Sequence, residues 1–287
     1  MKATGLYEQL EQDFIFPQLH DEFAAFIPDL HPYMTENFKE RSMGLVCDFT
    51  DEINMVYTAV FPSDRVMEQI FAEAPHRAML FLHHPSCWDF RKGKLFWFQM
   101  SKKWAKLCKK HGVSIYAIHV PLDNFSNYST SKTLADALRI EVVESFAEYG
   151  GGLAGVIGTT TCETAQELNG VFSVAVGHPT KLYPYGGAEI PGGKVAVIAG
   201  GGMDTEFLIA IAEKGVNCFV TGITAENGHL HIGSVAAHQY AKDHGINVLG
   251  GTHYSTEKFA CRRMCDYFAG LDLTAQFIED SPTMEDM

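Results

Sequence analysis

The sequence predicts an α/β fold of two related α/β lobes with mostly parallel or mixed sheets. Short apolar runs, such as AMLFL at 78–82, alternate with segments of helical periodicity, such as DRVMEQIFAEA at 64–74. Continuous apolar runs of this length are typical of strands buried on both faces of a sheet. The alternation starts again at KVAVIAGGGMD, from residue 194, and repeated βα units favour a largely parallel sheet.

In the first half of the chain, local patterns predict each element. β-Branched and aromatic residues indicate strands, apolar residues three and four apart indicate helices, and Gly112 is placed to end a helix. The opening segment to about Met34 contains four phenylalanines and is expected to pack against the rest of the protein. The predicted elements are a strand at 55–61, a helix at 64–74, a strand at 78–82, a helix at 97–110, a strand at 113–120 and a helix at 131–142.

Turn-forming residues concentrate in the middle of the chain. Residues 149–161 are rich in Gly and Thr, and residues 179–193 are dense in Gly and Pro, so an inter-domain boundary or a lid is expected there. We therefore predict one folded unit with approximate lobes 1–150 and 151–287. The predicted elements of the second half are a strand at the start of KVAVIAGGGMD, a helix at 204–214, a strand at 217–223, a helix at 233–244, and a strand from 247 that leads into the last long helix.

Composition excludes several classes of function. Lys and Arg total 22 against 35 Asp and Glu, giving a formal charge of −13 without any basic block, which argues against general nucleic-acid or anionic-membrane binding. The acidic start lacks the apolar run of a secretory signal, and no stretch reaches the ~18 apolar residues of a membrane helix, so a cytoplasmic protein is expected. The seven cysteines form no CxxC pair, and we expect reduced, mostly structural thiols.

Candidate metal ligands follow three of the predicted strands. In open α/β sheets, ligands gather at the carboxyl ends of the strands. Mixed imidazole and carboxylate ligands in this number fit two divalent ions, such as zinc, manganese or iron, about 3.5–4 Å apart. The candidates are His83 and His84 after the strand at 78–82, His119 within the strand at 113–120 and Asp123 after it, and His253 and Glu257 at the start of the last helix.

Each candidate also has a structural explanation when it is taken singly. A single His at a strand end is more often hydrogen-bonded than metal-bound, Asp123 suits a helix cap or an Asx turn, and Glu257 suits the first turn of a helix. The convergence of three strand ends on one rim favours metal binding. The glycine run 200–202 leaves two alternatives open, an anion site formed by backbone N–H groups or a simple tight turn.

The motifs LFLHHP, IHVPLD and GGTHYSTE resemble those of the NGG-interacting-factor-three (Nif-three-like) family, whose members are named GTP cyclohydrolase I type 2-like proteins. Weaker agreements in MGLV, VYTAVFPSDRVMEQ, KVAVIAGGGMD and FVTGI extend the resemblance over most of the chain. It implies a Nif-three-like fold, with a dinuclear metal centre between two lobes, and a homohexameric ring whose sites face an internal cavity. Carried over by motif, it implies His83, His84, Asp123, His253 and Glu257 as metal ligands, and His119 as a ligand or a neighbour of the ligands.

Two departures from the family pattern concern the site. HVPLD stands where the family reads HTNLD, which retains His119 and Asp123 but replaces the polar pair between them by Val and Pro. The family has a TGE motif, and this chain has Ile223 in place of its Glu. A carboxylate beside the site is therefore lost. The candidates to replace it, just downstream, are Glu226, His229 and His231.

Two functions from different classes fit these residues. The first is a metal-dependent hydrolase that acts on a small anionic substrate, with His119, His229 and His231 as candidates for proton transfer. GTP cyclohydrolase I type 2-like chemistry is the form of it that the resemblance implies. The second is a non-enzymatic, metal-containing oligomeric scaffold, metallochaperone or regulatory interaction protein. The cofactors expected from the resemblance are two divalent metal ions per chain. Both functions predict bound metal, so only turnover separates them.

Overall fold

The computed structural model describes residues 1–88, 97–226 and 232–287. The described chain forms two compact units, each with its own sheet, and the predicted α/β class is confirmed. The predicted lobes 1–150 and 151–287 were continuous in sequence, whereas the units are not, because the last strand pairs within the first unit. The first unit comprises Met1–Leu122, Gly150–Gly152 and Cys261–Asp280, and the second comprises Asp123–Tyr149, Leu153–Ala260 and Ser281–Met287.

The first unit contains a five-stranded sheet and a separate antiparallel pair. Its strands are β1 (Gly44–Cys47), β2 (Met55–Ala59), β3 (Ala78–Leu82), β4 (Ser86–Trp88), β5 (Trp97–Gln99), β6 (Val113–Ala117) and β13 (Thr274–Phe277). The sheet order is β1-β6-β3-β2-β13, with only the edge strand β1 antiparallel to its neighbour. Strand β3 is buried at all of its positions, as expected for a central strand covered on both faces.

Helices cover the sheet of the first unit. They are α1 (Ala3–Phe14), α2 (Glu36–Arg41), α3 (Asp64–Ala72) and α4 (Lys102–His111), and the short helix α5 (His119–Asp123) ends at the first residue of the second unit. Ser63 begins α3 by accepting a hydrogen bond from the Val66 N–H, and Gly112 ends α4 in the left-handed conformation, as predicted. Buried apolar side chains from α3, such as Ile70, then pack with those of β3 in one core cluster.

The second unit contains a six-stranded mixed sheet. Its strands are β7 (Glu141–Tyr149), β8 (Gly152–Thr159), β9 (Lys181–Tyr183), β10 (Lys194–Ile198), β11 (Cys218–Thr221) and β12 (Asn247–Gly250). The order is β7-β8-β10-β11-β12-β9, in which β10, β11 and β12 are parallel, whereas β8 and β9 run antiparallel to their neighbours β10 and β12. The carboxyl ends of the three parallel strands therefore meet at one edge of this sheet.

The helices of the second unit are α6 (Thr130–Ala137), α7 (Ala165–Val176), α8 (Thr205–Glu213), α9 (Ile232–Asp243) and α10 (His253–Gly270), whose last residues belong to the first unit. Thr164 and Glu167 form a capping box at the start of α7. At the carboxyl end of α7, the buried Lys258 ammonium donates to the Val176 carbonyl at 2.6 Å, where the helix dipole favours a positive charge.

Three predicted elements differ from the observed ones. The helix expected at 97–110 is strand β5 followed by α4, because Ser101 accepts the Lys103 N–H and starts the helix there. Residues 149–161, expected as a boundary or lid, contain two boundaries between the units, on either side of Gly150–Gly152, but mostly form strand β8, whose Val156 and Ile157 are core residues. The strand expected at 113–120 ends at Ala117, so His119 lies at the start of a helix and not within a strand. Pro121 favours this, since it lacks the N–H of a strand ladder and suits a first helical turn.

The described residues were also searched for a membrane span. Across 1–88, 97–226 and 232–287, no helix combines the length and apolar character that crossing a bilayer demands.

Candidate functional site

Three imidazoles converge in the first unit at the carboxyl ends of two neighbouring parallel strands. His83 and His84 directly follow β3, and His119 begins α5 just after β6. One ring nitrogen of each residue lies within 4.8 Å of the others, a spacing at which the three could hold a metal ion. The ring centroids of His83 and His84 are 4.3 Å apart, and those of His84 and His119 are 4.6 Å apart. The predicted convergence of these two strand ends is therefore observed.

Hydrogen bonds orient two of these rings. The Nδ1 of His83 donates to the Ile118 carbonyl at 3.4 Å, and the Nδ1 of His119 donates to the Asp21 carboxylate at 3.1 Å. Since both partners are acceptors, each Nδ1 carries a proton, and Nε2 is the nitrogen through which the neutral ring would bind a metal. Metal-binding histidines commonly have this arrangement, in which the distal N–H is held by a carbonyl or carboxylate.

Asp21 was not predicted from the sequence. It precedes His119 by 98 residues and lies in the opening segment, which offered only the expectation of packing. Burial alone would raise the pKa of Asp21, but the His119 ring and backbone N–H donors outweigh that effect and hold its pKa below the ordinary value. Asp21 is therefore a buried anion directed at His119.

Phenylalanine side chains enclose the same imidazoles. Phe61 stacks on the His84 ring with centroids 4.8 Å apart, and Phe23 presents its edge to His119 at 4.7 Å. These walls restrict ring rotation, and they replace water by apolar groups, which strengthens the electrostatic interactions of the site. The expectation that the opening segment packs is thus met by Phe23, at the site itself.

In the second unit, His253 and Glu257 face the same side of α10. His253 starts the helix immediately after β12 and its turn, and its Nε2 lies 3.0 Å from the Glu257 Oε1. Both side chains are nearly buried. The spacing of four residues predicted this shared face, and the pair offers one nitrogen and one carboxylate donor to a cation.

The glycine run after β10 lies against this pair. Gly200 has a φ of 70°, and a Cβ at this position would collide with the Glu257 Oε1 and lie 3.3 Å from the His253 Cδ2. The Gly200 N–H donates to the Thr256 hydroxyl, and the Gly202 N–H donates to the Thr221 hydroxyl, both at 3.0 Å. Because two N–H groups of the run are used within the protein, a tight turn explains the run better than an anion site does.

Asp123 is the last residue of α5 and belongs to the second unit. Its buried carboxylate accepts a hydrogen bond from the Thr130 hydroxyl at 2.7 Å. Thr130 is the first residue of α6, so Asp123 ties the end of one helix to the start of the next. Its role as a metal ligand stays a prediction.

The candidates for the lost carboxylate have different outcomes. His229 and His231 lie outside the described residues. Glu226 is exposed and accepts from the Tyr185 hydroxyl at 3.3 Å. A carboxylate that the sequence did not reveal, that of Asp286, accepts the His253 N–H at 2.8 Å and is buried. Burial raises the pKa of Asp286 to about 6, and the neighbouring His253 opposes that shift.

The chain matches a sequence profile of the family described as Duf34/NIF3 (NGG1p interacting factor 3) over residues 21–283. A relative from Archaeoglobus fulgidus is 29% identical over 247 residues, which cover 84% of this chain and 89% of the relative. One from Pyrococcus horikoshii is 26% identical over 250 residues, covering 85% and 90%. Both relatives carry the name GTP cyclohydrolase 1 type 2 homolog.

Two solved structures share the fold. A ybgI protein of unknown function has a TM-score of 0.75 at 19% identity and covers 99% of this chain and 100% of its own. Reduced HcgD from Methanocaldococcus jannaschii has a TM-score of 0.66 at 22% identity and covers 98% of each chain. At these identities the likeness establishes the fold alone.

Proposed function

Because the chain belongs to the Duf34/NIF3 (NGG1p interacting factor 3) family, we propose that it is a dinuclear metal protein that acts as a metal-dependent hydrolase. The observation that carries the proposal is the group of His83, His84 and His119, whose ligand nitrogens lie within 4.8 Å of one another. Borderline or hard divalent ions such as zinc, iron and manganese fit mixed imidazole and carboxylate donors of the kind found here.

The proposed ligands are three imidazoles and two carboxylates. The support for this set is that each side chain is buried or nearly buried and that each lies just beyond a strand end or in the helix that follows. The space that Gly200 leaves for the Glu257 carboxylate is a second feature that fits a ligand role. The proposed ligands are His83, His84, Asp123, His253 and Glu257.

Two divalent ions held by these residues would activate a water molecule as the nucleophile and polarise the bond under attack. His119, whose Nδ1–H is held by Asp21, has two candidate roles: a further imidazole ligand or, when its Nε2 does not bind metal, the proton carrier. The Asp21 carboxylate would then stabilise the imidazolium that forms. His229 and His231 stay candidates for the same role. A small anionic substrate suits a pocket that the ions make locally positive.

The first substrate in the turnover test is GTP, because the relatives are named GTP cyclohydrolase 1 type 2 homolog. Chain reconstituted with zinc, manganese or ferrous iron is incubated with GTP, other nucleoside triphosphates, phosphoesters and cyclic amides. We expect hydrolysis of at least one class, lost on chelation and restored by metal. The His253→Ala chain serves as a control, because it should not regain activity.

Absence of turnover across the whole panel in metal-loaded protein would contradict the hydrolase proposal. It would favour the alternative function, a metal-containing scaffold, metallochaperone or regulatory interaction protein. The homohexamer that the resemblance implies stays a prediction, which light scattering measures independently of turnover.

Asp21 tests the ligand role of His119, because on that role the loss of the Asp21 carboxylate should weaken metal binding although no ligand side chain is removed. Loss of a group that orients a metal-binding histidine typically costs about 10- to 100-fold in affinity, and we expect this for Asp21→Ala. Asp21→Asn should lose less, since its amide oxygen can still accept the His119 N–H. Competition with a chromogenic chelator measures the affinity. The neighbouring exposed Glu22, changed to Gln, is the control, and equal affinity in Asp21→Ala and Glu22→Gln would refute the orienting role.

A further inference from the structure

The segment Ser281–Met287 is bound to the second unit through Asp286. The backbone carbonyl of Asp286 accepts the Thr224 N–H at 2.7 Å and the Ala225 N–H at 2.9 Å. Its side chain accepts the His253 N–H at 2.8 Å. One residue therefore joins the loop that follows β11 to the first residue of α10.

The side-chain bond is additional to the cap that α10 already has. The Thr252 hydroxyl accepts the Ser255 N–H at 3.1 Å, which is the usual contact of a residue that begins a helix. The His253 N–H is one of the helix-start donors that such a cap does not satisfy. The Asp286 carboxylate accepts the hydrogen bond of this N–H. Asp286 therefore positions His253 in particular, whereas the Thr252 cap already supports formation of the helix.

Asp286 also lies in a charged environment. The residue is only 5% exposed, and the nearby carboxylates of Glu257 and Glu285 disfavour its negative charge while His253 favours it. A divalent cation bound at His253 and Glu257 would change this balance, because it would attract the Asp286 carboxylate. Such coupling is reciprocal. If docking of the segment raises the metal affinity by some factor, bound metal tightens docking of the segment by the same factor.

From these contacts we propose that Ser281–Met287 is a metal-responsive strap: Asp286 positions His253 for metal binding, and bound metal holds the strap on the second unit. The inference rests on the proposed metal site. Asp286 is a positioning residue in this scheme. It contacts the backbone of a proposed ligand, and no step of the hydrolysis passes through it.

The test measures metal affinity and amide exchange, using zinc as the probe. Asp286→Ala should bind zinc about 10-fold or more weakly than the unaltered chain, in the range seen when groups behind metal ligands are lost. The zinc affinity of Asp286→Asn should lie between those of the unaltered chain and Asp286→Ala, because the amide oxygen can accept the His253 N–H but carries no charge. Glu213→Gln is the control, since Glu213 is an exposed acid of the second unit outside this segment, and it should bind normally.

Hydrogen exchange provides the reciprocal measurement. Zinc should slow exchange of the Thr224 and Ala225 amides, which donate to the Asp286 carbonyl, in the unaltered chain and less so in Asp286→Ala. Exchange in β10–β12 serves to check that the variants stay folded.

The outcomes separate this inference from the proposed function. Wild-type zinc affinity in a folded Asp286→Ala chain, with the two amides insensitive to zinc, would overturn the strap and leave the metal site intact. Failure of the unaltered chain to bind zinc, manganese or ferrous iron would overturn both, and a chain that binds only one of the other two ions is tested with that ion. Zinc binding with the expected variant effects, but without turnover of any substrate, would support the strap and reject the hydrolase.

Discussion

Chains carrying His253→Ala or Glu257→Ala are expected to hold less divalent metal than the unaltered chain, which should contain up to about two ions on the dinuclear proposal. The two side chains are 3.0 Å apart on one face of α10 and nearly buried. Loss of either side chain removes one metal-binding atom and leaves the other side chain without its partner, so the site should bind metal more weakly. Elemental analysis of protein purified without chelator measures the content.

Matched substitutions elsewhere in the second unit control for nonspecific effects. His244 and Glu213 are exposed residues of the same two types, and their Ala variants should retain full metal content. Circular dichroism confirms that each variant is folded. If both His253→Ala and Glu257→Ala retained unaltered stoichiometry, the ligand assignment on α10 would be wrong.

The second large effect is expected from Gly200→Ala, which changes no proposed ligand. The new Cβ would meet the carboxylate end of Glu257, a flexible group that can move away and let the chain fold. The carboxylate would then be displaced from its position beside His253, and the metal content should fall toward that of Glu257→Ala. The measurement is again elemental analysis, together with thermal unfolding of the metal-free chain.

Gly215→Ala is a close control for the backbone effect. Gly215 has the same φ of 70°, but a Cβ there would meet nothing within 4 Å. Both substitutions place a side chain in the left-handed region, at a cost of roughly 1–2 kcal/mol in the free energy of unfolding. We expect similar loss of stability in both variants but loss of metal only in Gly200→Ala. Equal metal content in the two would mean that the glycine does not position Glu257.

Local patterns predicted those parts of the fold that depend on neighbouring residues. The apolar run of β3, followed at once by His83 and His84, needs only a buried central strand and its end. The shared face of His253 and Glu257 follows from helical spacing. Errors arose where two local preferences competed. Residues 113–120 read as one strand by composition, but Pro121 and the acceptor Asp21, which also takes the Val120 N–H, favour a helical start at His119.

The sequence by itself determined the α/β class, the family and the candidate ligand types, because periodicity and short motifs carry that information. Only the tertiary structure decided which distant groups support them. Asp21 reaches His119 across 98 residues, Asp286 reaches His253 across 33, and β13 joins the first sheet beside β2. Such contacts depend on how the whole chain packs, since closing a long loop has nearly the same entropic cost for many alternative partners. No local spacing identifies the partner that packing selects.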